Sequence, residues 1–249
     1  MANKLDKHHI LIAIAALLAV AGVLFHIKLA RSKPGRTPVA TEGMIAALGG
    51  LRSIAAEAVW FRIDRLQEEG RFVELSQLAS TLAFLEPHTP EVWCYAAWNL
   101  AYNISIMMPT LEDRWRWVEA ALKLLRDEGL KMNPDDPVIC RELAWMFQNK
   151  IGADLDSAGE IYRRNWREKM TDAIRRRAWD EVGMTIERIE EIEKIYGPFD
   201  WREPLTSAIY WAYSGLKGDP TGRDKNSLEI IIGQCLATIE RKRLGVFQK

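Results

Sequence analysis

The feature that most constrains this chain is an internal duplication. Pro87, Pro90, Ala97 and Trp98 return in the same order as Pro134, Pro137, Ala144 and Trp145, each 47 residues downstream. Proline fixes φ near −65° and lacks the N–H that a first helical turn leaves unbonded, so Pro90 and Pro137 predict helix entries. The Ala-Trp pairs behind them predict a shared helix face. A repeated unit cannot bury its apolar face alone and must stack on its copy. The expected architecture is therefore an array of helices with a binding surface, and binding rather than chemistry is the expected function.

The rest of the chain agrees with an all-α reading. Ile45, Leu48, Leu51, Ile54, Ala55, Ala58, Val59, Ile63 and Leu66 recur at three- and four-residue intervals, which predicts a buried helical stripe ending at Gly70. Further helices are expected over 71–85, 90–107, 110–132, 137–150, 155–177, 179–196, 204–216 and 227–244. Thr110, behind Pro109 and three residues before Asp113, predicts a side-chain cap. No segment alternates with the period of a strand, so an α-solenoid or a helical array is expected.

The N-terminus is different in kind. Ile10 to Phe25 is an uninterrupted uncharged run, and a helix rising ~1.5 Å per residue needs about 20 such residues to cross a ~30 Å hydrocarbon core. The expected organisation is a tail at 1–9, a transmembrane anchor at 10–29, a linker at 30–41 punctuated by Pro34, Gly35 and Pro38, and a helical repeat domain at 42–249. Ala19-Val20-Ala21 also resembles a signal-peptide cleavage site, which leaves cleavage open, although Val23-Leu24-Phe25 keeps the run apolar beyond it. More Lys and Arg lie after the run than before it, which favours a cytoplasmic domain. A short lysine-bearing tail equally suits a signal-anchor that exports the domain behind it. The exported, periplasmic side of a cell membrane is the expectation, with the cytoplasmic side as the alternative.

Composition narrows the chemistry. Thirty-four Lys and Arg balance 34 Asp and Glu, so no global charge draws nucleic acid, and none is expected as a partner. Cys94, Cys140 and Cys235 are odd in number and widely spaced, which suits buried thiols better than a disulfide framework or a zinc site. His8, His9 and His26 flank the apolar run, and His88 stands in a Pro-His-Thr-Pro turn. No metallopeptidase, nucleophile-elbow or phosphate-loop pattern appears. The expectation is accordingly no catalytic residue, no metal, no cofactor and no small-molecule substrate.

Two stretches resemble a known family. Gly70-Arg71-Phe72 with Leu75, Ala79, Leu82 and Pro87 is similar to the second helix of a tetratricopeptide (TPR) repeat, and Pro90, Trp93, Ala96, Ala97 and Leu100 to the first helix of the next. Gly129 to Pro134, with Cys140, Ala144 and Phe147 after them, repeats the junction. The period is 47 rather than the standard 34, and Leu75 and Leu82 stand where the family places small residues. The resemblance implies a membrane-anchored TPR-like adaptor or scaffold of a bacterial envelope. Its ligand-facing positions would be Glu91, Cys94, Trp98, Ala101 and Tyr102, then Val138, Arg141, Trp145, Gln148 and Asn149. It also implies a protein partner, with an obligate accessory subunit of a larger membrane complex as the alternative. Buried packing between repeats is the competing use for the two tryptophans.

One further segment draws attention. Arg163, Arg164, Arg167 and Lys169, with Arg175, Arg176 and Arg177 after them, place seven cations in fifteen residues, with Tyr162 and Trp166 among them. They are candidates for contact with an anionic surface. The bland alternative pairs them with Glu160, Glu168 and Asp172 on one solvated helix.

Overall fold

The computed structural model describes residues 39–245. Among them there are nine α-helices of more than one turn and no strand. They are α1 (Val39–Glu68), α2 (Phe72–Leu85), α3 (Pro90–Trp98), α4 (Leu111–Lys123), α5 (Pro137–Trp145), α6 (Gly159–Arg176), α7 (Ile186–Tyr196), α8 (Pro204–Lys217) and α9 (Gly222–Arg243). Three of them continue through a wider π-helical turn: α3 through Asn99–Ile104, α4 through Leu124–Gly129 and α5 through Met146–Ile151. The turns in α3 and α5 are themselves 47 residues apart, so the duplication extends to a backbone irregularity that composition does not announce.

Two compact units divide the chain, Met1–Arg62 and Ile63–Lys249, with the boundary inside α1. In the smaller unit the stripe residues whose side chains are described are mostly exposed rather than buried. Leu51 is 57% exposed, Ile54 55% and Phe61 83%, whereas Ala56 is buried. Helical periodicity predicted which residues share a face, and it carried no information on whether a neighbour covers that face. Within the larger unit Ile63 and Leu66 are buried as expected.

The larger unit is organised by three proline-started helices. Pro90, Pro137 and Pro204 each open a helix, and α5 packs against both α3 and α8. Asp136 reinforces the second start, its carboxylate accepting from the N–H groups of Val138 at 2.9 Å and Ile139 at 3.1 Å. Thr110 caps α4 as expected, accepting from the Asp113 N–H at 3.1 Å. The two duplicated junctions are tied together directly. The Pro87 carbonyl accepts from the Trp93 indole and from the Asn133 side-chain amide, each at 2.9 Å, while His88 Nδ1 lies 3.0 Å from the Met132 carbonyl.

The most extensive helix contact joins α8 to α5, and the next joins α8 to α9. From Pro204 to Gly215 every residue of α8 is buried except Tyr213, which is partly covered. Small residues allow this close approach. A Cβ on Gly215 would stand 2.9 Å from Cys140 Cβ and 3.0 Å from the Leu228 side chain. The buried Ser207 hydroxyl is satisfied by the Trp166 indole at 3.1 Å, and Phe147 and Trp166 pack ring to ring at 4.6 Å.

Several expected bounds shift for local reasons. The helix expected at 179–196 is instead a 3-10 turn, Trp179–Val182, succeeded by α7. Gly183, at φ +71°, reverses the chain between them and Thr185 caps the new start. Similarly, α6 begins at Gly159 because the Asp156 carboxylate holds the Ala158 N–H at 2.9 Å in the preceding turn. No described helix is long and apolar enough to cross a membrane. The uncharged run at 10–25, the anchor at 10–29 and the tail before it lie outside the described residues, as does most of the expected linker; α1 is already helical at Val39.

Candidate partner-binding face

The duplicated Ala-Trp pairs separate cleanly by environment. Ala97 and Ala144 are fully buried, whereas Trp98 is 41% and Trp145 47% exposed. Residues adjacent on a helix lie ~100° apart, so a helix face that buries the alanine carries the tryptophan beside it to the edge of that face. Trp98 is held there by stacking on Tyr102, with ring centroids 5.5 Å apart and planes 23° from parallel.

Polar groups lie beneath these rings. Tyr102 Oη and Glu142 Oε1 are buried; the carboxyl oxygen has no hydrogen-bond partner, and the phenol has the Trp145 side chain beside it. Burial pushes the Tyr102 phenol above its ordinary range, and the nearby Glu142 charge adds to the rise. Burial also raises the Glu142 carboxyl, against the opposing charge of Arg141. On the other side of Tyr102, the buried Lys150 ammonium lies 5.0 Å from its ring centroid and 5.6 Å from that of Tyr162, and pairs with Asp156 at 2.6 Å. Burial alone would raise the Asp156 carboxyl. The Lys150 ammonium and the Ala158 N–H outweigh that effect and hold it below its usual value.

The other residues expected on this face have mixed fates. Glu91 is exposed, while Cys94 and Val138 are half-buried, with the Cys94 thiol 3.8 Å from the Val138 carbonyl. Ala101 is fully buried and does not reach the surface. Arg141 pairs with Asp224 on α9, and the Gln148 amide donates to Gln234 on the same helix at 2.9 Å. These two therefore fasten α5 to α9. Asn149 donates back to the Trp145 carbonyl at 3.2 Å. The exposed members of the face are thus Trp98 and Trp145, with the half-buried Tyr102 stacked against Trp98. Sequence reasoning passed over Glu142 and Lys150, although the three-residue step from Glu142 to Trp145 put both on one helix face. The reach of Lys150 back to Tyr102 had no sequence signal, because it depends on how α3 meets α5.

The cations of α6 are largely engaged. Arg163 pairs with Asp154 at 2.6 Å, Arg164 approaches Glu112 at 3.8 Å, Arg167 meets Glu203 and Lys169 meets Glu119. Asp172 takes up Arg175 at 2.5 Å and Arg176 at 2.7 Å, as the bland alternative expected. The remaining partners come from other elements, so these cations join α6 to its neighbours. Arg163 and Arg167 also line a cleft of about 780 Å³ with Phe199, Lys242 and Arg243.

No group of three or more His, Cys, Asp or Glu capable of holding a metal occurs among the described residues. Burial raises the Cys140 and Cys235 thiols to about 12, which keeps both protonated at neutral pH. No protein-family model, curated protein or solved structure matches the chain.

Proposed function

We propose that this chain is a membrane-tethered, TPR-like adaptor, non-catalytic, whose Trp98–Tyr102–Trp145 face takes an apolar segment of another membrane or envelope protein. One observation carries the reading. Trp98 and Trp145 hold the same register on duplicated helices and remain 41% and 47% exposed, while the alanines beside them are fully buried. Large, stiff aromatic side chains at the surface are the usual anchors of protein interfaces. The tether is the uncharged run at 10–25, and the exported side of the membrane is proposed for the domain.

A second reading, an obligate subunit of a larger complex, draws on the exposed Leu51, Ile54 and Phe61 of α1. Capture of full-length protein from its native membrane separates the two. The pair Trp98→Ala with Trp145→Ala should abolish co-purification of the adaptor's partner while leaving helicity and Tm nearly intact. Unchanged capture by the folded double variant would reject the tryptophan face and leave the α1 surface as the better interface.

A further inference from the structure

The helix α1 carries an apolar stripe with a stricter spacing than a helix packed on a core requires. Leu51, Ile54, Ala58 and Phe61 stand at the a and d positions of a heptad, and all four are exposed. Ala56 falls on the opposite side, at position f, and is buried. The covered side and the heptad side are therefore different sides of one helix. Met44 and Ala47 continue the spacing backwards in the sequence, within the same helix, and Arg65 at the next a position ends it. A helix that lies on a core buries a wider band, whereas an apolar line confined to a and d and flanked by charge is the seam of a coiled coil.

The flanking charges decide which helix fits this seam. Glu57 stands at g and Arg62 at the e position that follows, and both are exposed. In a parallel, in-register pair of identical helices, the g residue of one chain meets the next e residue of the other. Glu57 then faces the partner's Arg62, and symmetry makes the bond twice. An antiparallel pair sets g against g, which offers Glu57 only glycine or another acid within the helix. The next g–e pair, Asp64 with Glu69, falls past the end of the seam, and Arg65 and Arg71 already neutralise Glu69. Packing agrees with the parallel arrangement. A long helical side chain leans back over the preceding turn, so each Phe61 ring would cover the Ala58 layer, where two facing alanines leave room for it.

We infer that α1 pairs, parallel and in register, with α1 of a second copy of this chain, joined through the Leu51–Phe61 seam and two Glu57–Arg62 ion pairs. The inference is independent of the tryptophan face. A different subunit on the same surface is the competing occupant, and the test separates the two.

Self-cross-linking of the full-length chain supplies that test. Like positions meet in a parallel, in-register pair, so Ile54→Cys, at d, should close a disulfide to itself under mild oxidation and double the chain's mass in non-reducing electrophoresis. Arg52→Cys, exposed at b, faces away from the seam and should cross-link at least about tenfold less. The wild-type chain, with Cys94, Cys140 and Cys235, sets the background. Sedimentation equilibrium reads the charges: Glu57→Arg or Arg62→Glu alone should weaken self-association at least about fivefold, and the two together should restore it. Three results would each overturn the proposal: Ile54→Cys cross-linking no better than Arg52→Cys, a wild-type chain that sediments as a monomer, or a double charge variant weaker than both single ones. The first of them would leave the surface to a different subunit. The substituted positions are exposed, so the variants should fold, as circular dichroism checks; should a charge variant not fold, the two cysteine variants decide.

Discussion

The helices α5 and α8 begin alike and end in opposite environments. Each opens on a proline, and the positions seven and eight residues on hold Ala144-Trp145 in α5 but Trp211-Ala212 in α8. In α5 the alanine is fully buried and the tryptophan 47% exposed; in α8 the tryptophan is 4% exposed and the alanine fully buried. The difference lies in which side of each helix is covered. α5 meets α3, α8 and α9 yet leaves its Trp145 side partly in water, whereas α8, against α5, α9, α7 and α6, is buried along nearly all of its length. The inner position of α5 holds a fully buried alanine, and the same position of α8 holds a buried tryptophan. Equivalent helix starts thus produce a surface aromatic in one place and a core aromatic in the other.

The comparison breaks most visibly by truncation. Trp211→Ala should destabilise the fold by about 3–5 kcal/mol, the range for removing a buried tryptophan. Trp145→Ala should cost less than about 1.5 kcal/mol, because roughly half of the side chain is already in water. Denaturant melts of the two variants measure the difference, and equal costs would show that Trp145 is core.

Overpacking has the next largest effect. Gly215→Ala places a methyl against Cys140 and Leu228, and Ala97→Leu or Ala144→Leu forces a larger group into a fully buried position. Each should cost about 1–3 kcal/mol in the same melts. If Ala97→Leu and Ala144→Leu are neutral while Gly215→Ala is not, the duplicated contact is looser than the α5–α8 contact.

A pH series gives the smallest and most specific effects. The Glu142 carboxyl is raised by burial, so its favourable contribution is full below its unfolded pKa near 4.5 and is lost as pH rises through the higher folded value. Glu142→Gln should therefore raise Tm at pH 7 relative to wild type, and the gain should vanish below about pH 4.5. The Asp156 carboxyl is lowered, so its contribution is present above its unfolded pKa near 3.8 and is lost as pH falls through the depressed folded value. Asp156→Asn should cost stability at pH 7 and converge with wild type in strong acid. An Asn variant as stable as wild type at pH 7 would show that the Lys150–Asp156 pair does not anchor α5 to the turn before α6.

Much of the fold is legible in the residues. The prolines and the Thr110 and Gly70 signals mark helix ends because φ restriction, missing N–H groups and capping oxygens act within a few residues of chain. The 47-residue offset likewise marked the two Ala-Trp pairs as one shared helix face, and it left open whether the tryptophans pack in the core or reach the surface. The extra break at Gly183 was signalled by a glycine two residues before Thr185, and helical periodicity on both sides concealed it.

Other features depended on which helix found which. That α8 is sheathed on nearly every side, that Arg141 and Gln148 fasten α5 to α9, that Lys150 reaches beneath Tyr102, and that the α6 cations pair with Glu112, Glu119 and Glu203 are all contacts between residues far apart in the chain. Local propensity and capping are written in neighbouring residues and can be read there. Burial and pairing arise only when distant surfaces meet, because desolvation and hydrogen bonding depend on what lies across the contact rather than on what precedes it in sequence.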